Sequence, residues 1–254
     1  MIRGVLCDLS GVLYVGDEAI EGAKQAIETL RRRKMPLRFV TNVTRRPAHA
    51  LRSRLARMGL PIGDEELITA PRAARAYLVR HELLPHLLVH PALEDEFSDL
   101  VVDDTPTAVL VGDAGDDFNY ASLNRAFRLL MDGAALLAMG NNRYFRDRDG
   151  LSLDIGPFVA ALEYASGKSA VILGKPSKEF FLAAVDSLGC APGEAVMVGD
   201  DALADVDGAL AAGIAGILVK TGKYRPGDEG RITKPGAEVV DDVAAAAELI
   251  LRQT

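Results

Sequence analysis

Apolar runs of about strand length recur along the chain, and several of them stop at a polar residue or a glycine. GVLCD (4–8), LRFVTN (37–42), SAVILG (169–174), AVMVGD (195–200) and AGILVK (215–220) are β-rich and largely continuous in their hydrophobicity. Between them the apolar spacing becomes helical, over 22–34, 47–58, 178–188 and 202–212. Pro47 suits a first helical position and Gly59 a C-terminal cap, and Gly189 and Gly213 close the later two helices in the same way. Strands alternating with helices, the strands buried on both faces, predict an α/β fold with a doubly wound parallel sheet. Ligands gather beyond the carboxyl ends of such strands. Asp8, Thr41, Asn42 and Asp200 are therefore expected to share one rim, with Lys175 just past a further strand of it.

The middle of the chain has its own strand candidates, HLLVH (86–90) and AVLVGD (108–113), and a strong helical pattern over 120–131. No rim motif is read in it. It predicts an inserted second α/β domain at 71–169, with the flanking 1–70 and 170–254 forming the core and hinges near Pro71 and Lys168. The polar run MGNNRYFRDRDG (139–150) is either a loop that selects a ligand or a solvated connection.

Four polar clusters stand where apolar strands stop: CDLSG (7–11), VTN (40–42), GKPS (174–177) and GDDALAD (199–205). One strand-end Asp is weak evidence, since it caps turns and helices as a matter of course. Together the clusters crowd Asp8, Asp200, Asp201 and Asp205 at one sheet edge. Two unit charges ~4 Å apart repel by ~4 kcal/mol at an effective dielectric of 20. A hard divalent cation removes that repulsion, and Mg²⁺ favours a few carboxylates with waters and substrate phosphate. Lys175 and Thr41 offer a charge and a hydroxyl for phosphoryl oxygens, which leaves Asp8 as a nucleophile able to accept a phosphoryl group.

Composition narrows the reading. The 254 residues carry a net charge of −7, which argues against a nucleic-acid partner. No apolar run approaches the ~18 residues of a membrane span. The opening MIRGVLCDLS reaches a polar site too soon for a secretory signal, and two cysteines make no disulfide framework, so a cytoplasmic protein is expected. NVT at 42–44 is read as a chance sequon, RRRK at 31–34 as a solvated helix end, and histidines 49, 81, 86 and 90 as ordinary side chains. Cys7 is expected to point away from the rim by strand alternation.

The order Asp, Thr-Asn, Lys, Asp-Asp resembles the haloacid-dehalogenase superfamily of phosphohydrolases, and the long insertion after the Thr motif resembles its NagD-like branch. DLSGVLY, GKPSKEFF, MVGDD, LVKTGKYRPGDE (218–229) and LDIGPFVAALEYASG (153–167) look most like the group of phospholysine phosphohistidine inorganic pyrophosphate phosphatases. The resemblance spans essentially the whole chain. It implies Asp8 as nucleophile and Mg²⁺ ligand, the Ser10 backbone carbonyl as a second ligand and Asp200 as a third. Thr41, Asn42 and Lys175 would bind phosphate, and Asp201 or Asp205 would steady the metal's waters. The implied partner is a small phosphorylated substrate, and an exposed face of the inserted domain leaves room for a homodimer.

Ser10 departs from the wider superfamily, where a second Asp usually protonates the leaving oxygen. Its loss removes acid–base help typically worth about 10²–10⁴-fold. Substrates with good leaving groups are then expected: pyrophosphate, P–N bonds, aryl phosphates. The competing reading is a phosphate-binding regulatory protein that kept the scaffold without efficient turnover. A phosphoacceptor receiver domain is set aside on chain order and size.

Overall fold

The computed structural model describes residues 1–100, 105–147 and 150–253. The chain opens with β1 (Gly4–Asp8), the short hairpin β2 (Tyr14–Val15) and β3 (Glu18–Ala19), α1 (Ala23–Arg32), β4 (Leu37–Thr41), α2 (Ala48–Arg57) and β5 (Leu67–Thr69). There follow α3 (Ala70–Arg80), β6 (Pro85–Leu88), β7 (Ala108–Val111), α4 (Tyr120–Met131), β8 (Ala135–Ala138), β9 (Tyr144–Asp147), β10 (Gly150–Leu153), α5 (Ile155–Ser166) and β11 (Val171–Ile172). The chain then runs through α6 (Lys178–Leu188), β12 (Ala195–Gly199), α7 (Gly208–Ala211), β13 (Ala215–Val219), β14 (Ala237–Val240) and α8 (Val243–Arg252). Contacts divide it into two units, one of Met1–Thr41, Ala48–Ile68 and Lys175–Thr254, the other of Asn42–Pro47 and Thr69–Gly174. The short segment after β4 and residues 170–174 thus cluster with the second unit.

In the first unit six strands lie in the order β14-β13-β12-β1-β4-β5. β1 pairs in parallel with both β12 and β4, and β12 with β13. All five residues of β1 and all five of β12 are buried, as continuous apolar strands covered on both faces require. On one face Val5, Cys7, Phe39, Val198 and Ile217 pack with Ile27 and Leu30 of α1 and Ile250 of α8. Cys7 is among them, with its thiol pushed far up by burial, so it stays a buried apolar group beside Asp8. Parallel pairing brings the carboxyl ends of β4, β1 and β12 to one edge, where Thr41, Asp8 and Asp200 end or follow them.

The second unit holds a parallel sheet in the order β11-β8-β7-β6. One of its faces packs Leu110, Leu137 and Leu93, the other Val109, Leu136 and Leu130. The pattern of SAVILG at 169–174 predicts a rim strand of the main sheet. Instead only Val171 and Ile172 are extended, and they pair with Leu137 and Ala138 of β8. Periodicity marks a buried strand but not its partner, and this short one completes the smaller sheet. Within the 139–150 run, residues 139–143 form no strand, and 144–147 and 150 belong to β9 and β10, which pair as an antiparallel hairpin. Its residues 148 and 149 lie outside the described residues.

The expected helix at 202–212 is a π-type turn over Ala202–Asp207 running into α7. Gly199 explains the tight entry. A Cβ there would fall 2.2 Å from Cβ of Asp205, so only glycine lets the turn fold Asp205 back against the strand end. No described helix is long and apolar enough to cross a membrane.

Candidate active site

At the carboxyl edge of the larger sheet the carboxylates of Asp8, Asp200 and Asp205 lie within 4.8 Å of one another, all three residues buried. Lys175 sits between two of them, its Nζ donating to Asp8 Oδ1 at 2.5 Å and to Asp205 Oδ1 at 2.6 Å. It arrives just before α6, whose N-terminus is capped by the Ser177 hydroxyl. Burial alone would lower its pKa, but Asp205 and Asp8 outweigh burial and hold it well above the ordinary lysine value. Lys175 therefore keeps its proton and acts as a fixed charge, not as a base.

The acids are less well compensated. Burial first, then the Asp8 charge, pushes Asp200 up to about 8. Burial also pushes Asp205 up to about 6, opposed by Lys175 and reinforced by Asp8. Asp200 Oδ2 accepts the Lys223 backbone N–H at 2.8 Å, whereas Asp200 Oδ1 is buried with no hydrogen-bond partner among the described residues. A buried carboxylate oxygen left unpartnered is costly unless something else completes it. Asp8, Asp200, Asp201 and Asp205 stand against the ammonium groups of Lys175 and Lys223, so with all four acids ionised the cluster would carry an excess of two negative charges. All-oxygen donors, that excess and the orphaned oxygen fit a hard divalent cation such as Mg²⁺.

The remaining expected residues fall in different places. Thr41, buried, ends β4 beside β1. Ser10 is exposed on the loop that leaves β1, in a bridge with Tyr14. Asp201 is occupied locally: its Oδ1 caps the turn by accepting from the N–H groups of Leu203 and Ala204, and its Oδ2 pairs with Lys223 Nζ at 3.1 Å. Burial raises its pKa, but Lys223 and these N–H donors outweigh it, so it stays low. Asn42 begins the segment that clusters with the second unit, where its amide lies against Gly140 and Gly174.

The loop after β13 lies in LVKTGKYRPGDE (218–229), which enters the resemblance but is given no site role by sequence reasoning. Thr221 Oγ1 donates to the Gly11 carbonyl at 2.5 Å. Gly11 (φ +90°) and Gly222 (φ +62°) pack so tightly on Asp200 that a Cβ on either would fall 2.0 and 2.2 Å from its Oδ2. The only trace of this in the sequence is TGK after an apolar run, with glycine where a backbone must pass close.

Comparison with known proteins gives the family of the chain. Residues 5–102 match the family model for haloacid dehalogenase-like hydrolases, and residues 172–246 match a second, HAD-hydrolase-like model. The human haloacid dehalogenase-like hydrolase domain-containing protein 2 is 45% identical over 251 residues, covering 99% of this chain and 96% of that one. Human phospholysine phosphohistidine inorganic pyrophosphate phosphatase is 40% identical over 258 residues, covering 99% and 95%. Among solved structures, a 4-nitrophenylphosphatase from Thermotoga maritima superimposes with a TM-score of 0.90 at 27% identity, covering 98% of this chain and 97% of that one. NagD from E. coli gives 0.85 at 26% identity, covering 96% and 97%. The chain belongs to the haloacid dehalogenase-like hydrolases.

Proposed function

We propose that the chain is a Mg²⁺-dependent phosphohydrolase working through an aspartyl phosphate at Asp8, on small phosphorylated compounds with good leaving groups. The observation that carries this is the buried Asp8–Asp200–Asp205 cluster with one orphaned carboxylate oxygen and Lys175 fixed on the nucleophile. Asp8, the Ser10 backbone carbonyl and Asp200 would hold the metal. When bound, it supplies positive charge against the repulsion between carboxylate and phosphate. Lys175, permanently charged, binds a phosphoryl oxygen, with the Thr41 hydroxyl and, by resemblance, the Asn42 amide as further donors. An Asp8 oxygen forms the new O–P bond as the bond to the leaving group breaks, and the leaving group takes its electron pair. Water then hydrolyses the acyl phosphate, releasing phosphate and restoring Asp8. Asp205 keeps Lys175 in place, and Asp201 holds the turn that carries Asp205. The second unit is the cap that selects substrates.

Ser10 sets the substrate class. It offers a hydroxyl where a carboxylic acid would protonate a departing alkoxide. Pyrophosphate, P–N compounds and aryl phosphates depart without that help. The proteins named 4-nitrophenylphosphatase and pyrophosphate phosphatase, among those this chain is similar to, support this choice. The test is a Mg²⁺ assay over pyrophosphate, a phosphoramidate, 4-nitrophenyl phosphate and an alkyl phosphate. The first three should exceed the last by about 10²–10⁴-fold, and Ser10→Asp should raise the alkyl rate most. Equal rates on aryl and alkyl esters would show that another residue supplies the proton. Absence of both burst and turnover on the aryl ester would make the chain a phosphate-binding protein instead.

A further inference from the structure

The hairpin β2–β3 grows directly from the loop that carries Ser10 and Gly11, yet little of it is built to stand alone. Each strand has two residues, and a two-stranded hairpin is marginal in water even when longer. Val15 is exposed, as are both residues of β3. Arg54 of α2 reaches its tip. Arg54 Nε donates to Asp17 Oδ1 at 2.9 Å, and its Nη2 donates to the Gly16 carbonyl. The same guanidinium lies 4.9 Å over the ring of Tyr14. Arg54 itself is largely buried, its side chain 17% exposed, against 77% for Asp17. An arginine can make a forked polar contact and a ring contact at once, which a lysine cannot.

The root of the hairpin leads to the site. Gly11 N–H donates to the Tyr14 carbonyl at 2.8 Å, and Leu13 N–H to the Leu9 carbonyl at 2.9 Å. The other side of Gly11 is pressed against Asp200 and receives the Thr221 hydroxyl on its carbonyl. Gly11 is thus held between the hairpin and the acid cluster, one residue beyond Ser10.

We infer that Arg54 is a positioning residue which clamps this hairpin and so sets the backbone of Ser10 and Gly11 beside Asp8 and Asp200. The inference rests on the metal reading proposed above for its functional consequence, but the clamp itself does not, and the test separates them. Amide hydrogen exchange and Mg²⁺ titration calorimetry, both without substrate, are compared for wild type, Arg54→Ala and Arg54→Lys. In Arg54→Ala the amides of Gly11, Leu13 and Ile20 should exchange about tenfold faster or more, with those of β1, β4 and α2 unchanged. Mg²⁺ affinity should fall about tenfold, within the range for groups that orient metal ligands. Arg54→Lys should lie between the two, because it keeps the charge near Asp17 and loses the fork and most of the ring contact. Unchanged exchange at 11–20 overturns the clamp, whatever the enzyme does. Faster exchange there with unaltered Mg²⁺ affinity overturns the link to the site, provided wild type binds Mg²⁺. If wild type binds none, the metal reading fails and the exchange data alone decide the clamp. Faster exchange throughout the unit in both variants reduces Arg54 to a general stabilising residue and also overturns the inference.

Discussion

Two hexapeptides in this chain differ at one position: AVLVGD at 108–113 and AVMVGD at 195–200. Each supplies an interior strand of a parallel sheet, β7 between β6 and β8, and β12 between β1 and β13. Each ends in a buried aspartate, Asp113 and Asp200. Their surroundings then diverge. Asp113 Oδ2 accepts from Arg45 Nε at 2.5 Å, its Oδ1 accepts from the Gly115 N–H at 3.1 Å, and its own N–H reaches Thr44 Oγ1 at 3.2 Å. Asp200 meets two further acids and leaves Oδ1 without a partner among the described residues. Local sequence and fold position are the same, so neither makes a site. What separates a structural aspartate from a candidate ligand is whether its neighbours neutralise it. Arg45, also stacked 4.8 Å over Phe145, does that for Asp113.

The largest effect should come from the residue that has no counterpart in the second unit. Asp8→Asn removes the carboxylate placed to attack phosphorus while keeping its size. Turnover of 4-nitrophenyl phosphate should fall by on the order of 10⁴-fold or more. The melting temperature should change little, since the pairing lost from Lys175 is offset by relief among the crowded acids and Lys175 keeps Asp205. An Asp8→Asn variant that still turned over at about a hundredth of the wild-type rate, far above that expectation, would place the nucleophile elsewhere.

Asp200→Asn should be next, lowering turnover by about 10²–10³-fold, the scale of losing one electrostatic contact in a site. Its clearest readout is thermal. With Asp200 raised to about 8 and Asp205 to about 6, the folded protein without metal holds protons that the unfolded chain has released above about pH 4. Stability then falls as pH rises from about 4 towards 8. A cation that displaces those protons binds better over the same interval, so the Mg²⁺-induced rise in melting temperature should grow from about pH 5 to about pH 8. Asp200→Asn should flatten both trends. A Mg²⁺ shift that is constant across this range in the wild type would show that these acids do not hold the ion.

Much of this is legible in the chain alone, and the exceptions are physical. Asp8, Asp200 and Lys175 announce themselves because apolar runs stop at charge, and α4 and α6 run over the residues their periodicity marks. Partner choice is hidden. SAVILG reads as a rim strand because burial on both faces looks alike in either sheet, and only pairing with β8 assigns it. Lys223 escapes notice because its link to Asp200 is a backbone N–H, which every residue but proline carries. Asp201 reads as another site acid, but its Oδ1 is taken by two backbone N–H groups of the turn it caps. The hexapeptide at 108–113 hides its role for the complementary reason: the arginine that neutralises its aspartate lies sixty-eight positions away.

The smallest effect should follow Asp113→Asn, and it bears most directly on the comparison. The substitution keeps an oxygen for the Gly115 N–H and takes the anion from Arg45. Arg45 is itself 41% exposed and retains Phe145, so water can take over part of the lost pairing. The cost should therefore be about 1 kcal/mol, well short of the roughly 3–5 kcal/mol for splitting a fully buried pair. In a chain of this size that lowers the melting temperature by roughly 2–4 °C. Crucially, the shift caused by Mg²⁺ should be the same as in the wild type at every pH, because no carboxylate of the acid cluster has changed. Without metal, Asp113→Asn should lower stability across the range, whereas Asp200→Asn should remove its fall with rising pH, from the same substitution at the same position of the same motif. If Asp113→Asn also removed the Mg²⁺ shift, neutralisation by neighbours would no longer distinguish the two aspartates, and the metal assignment would have to extend to the second unit.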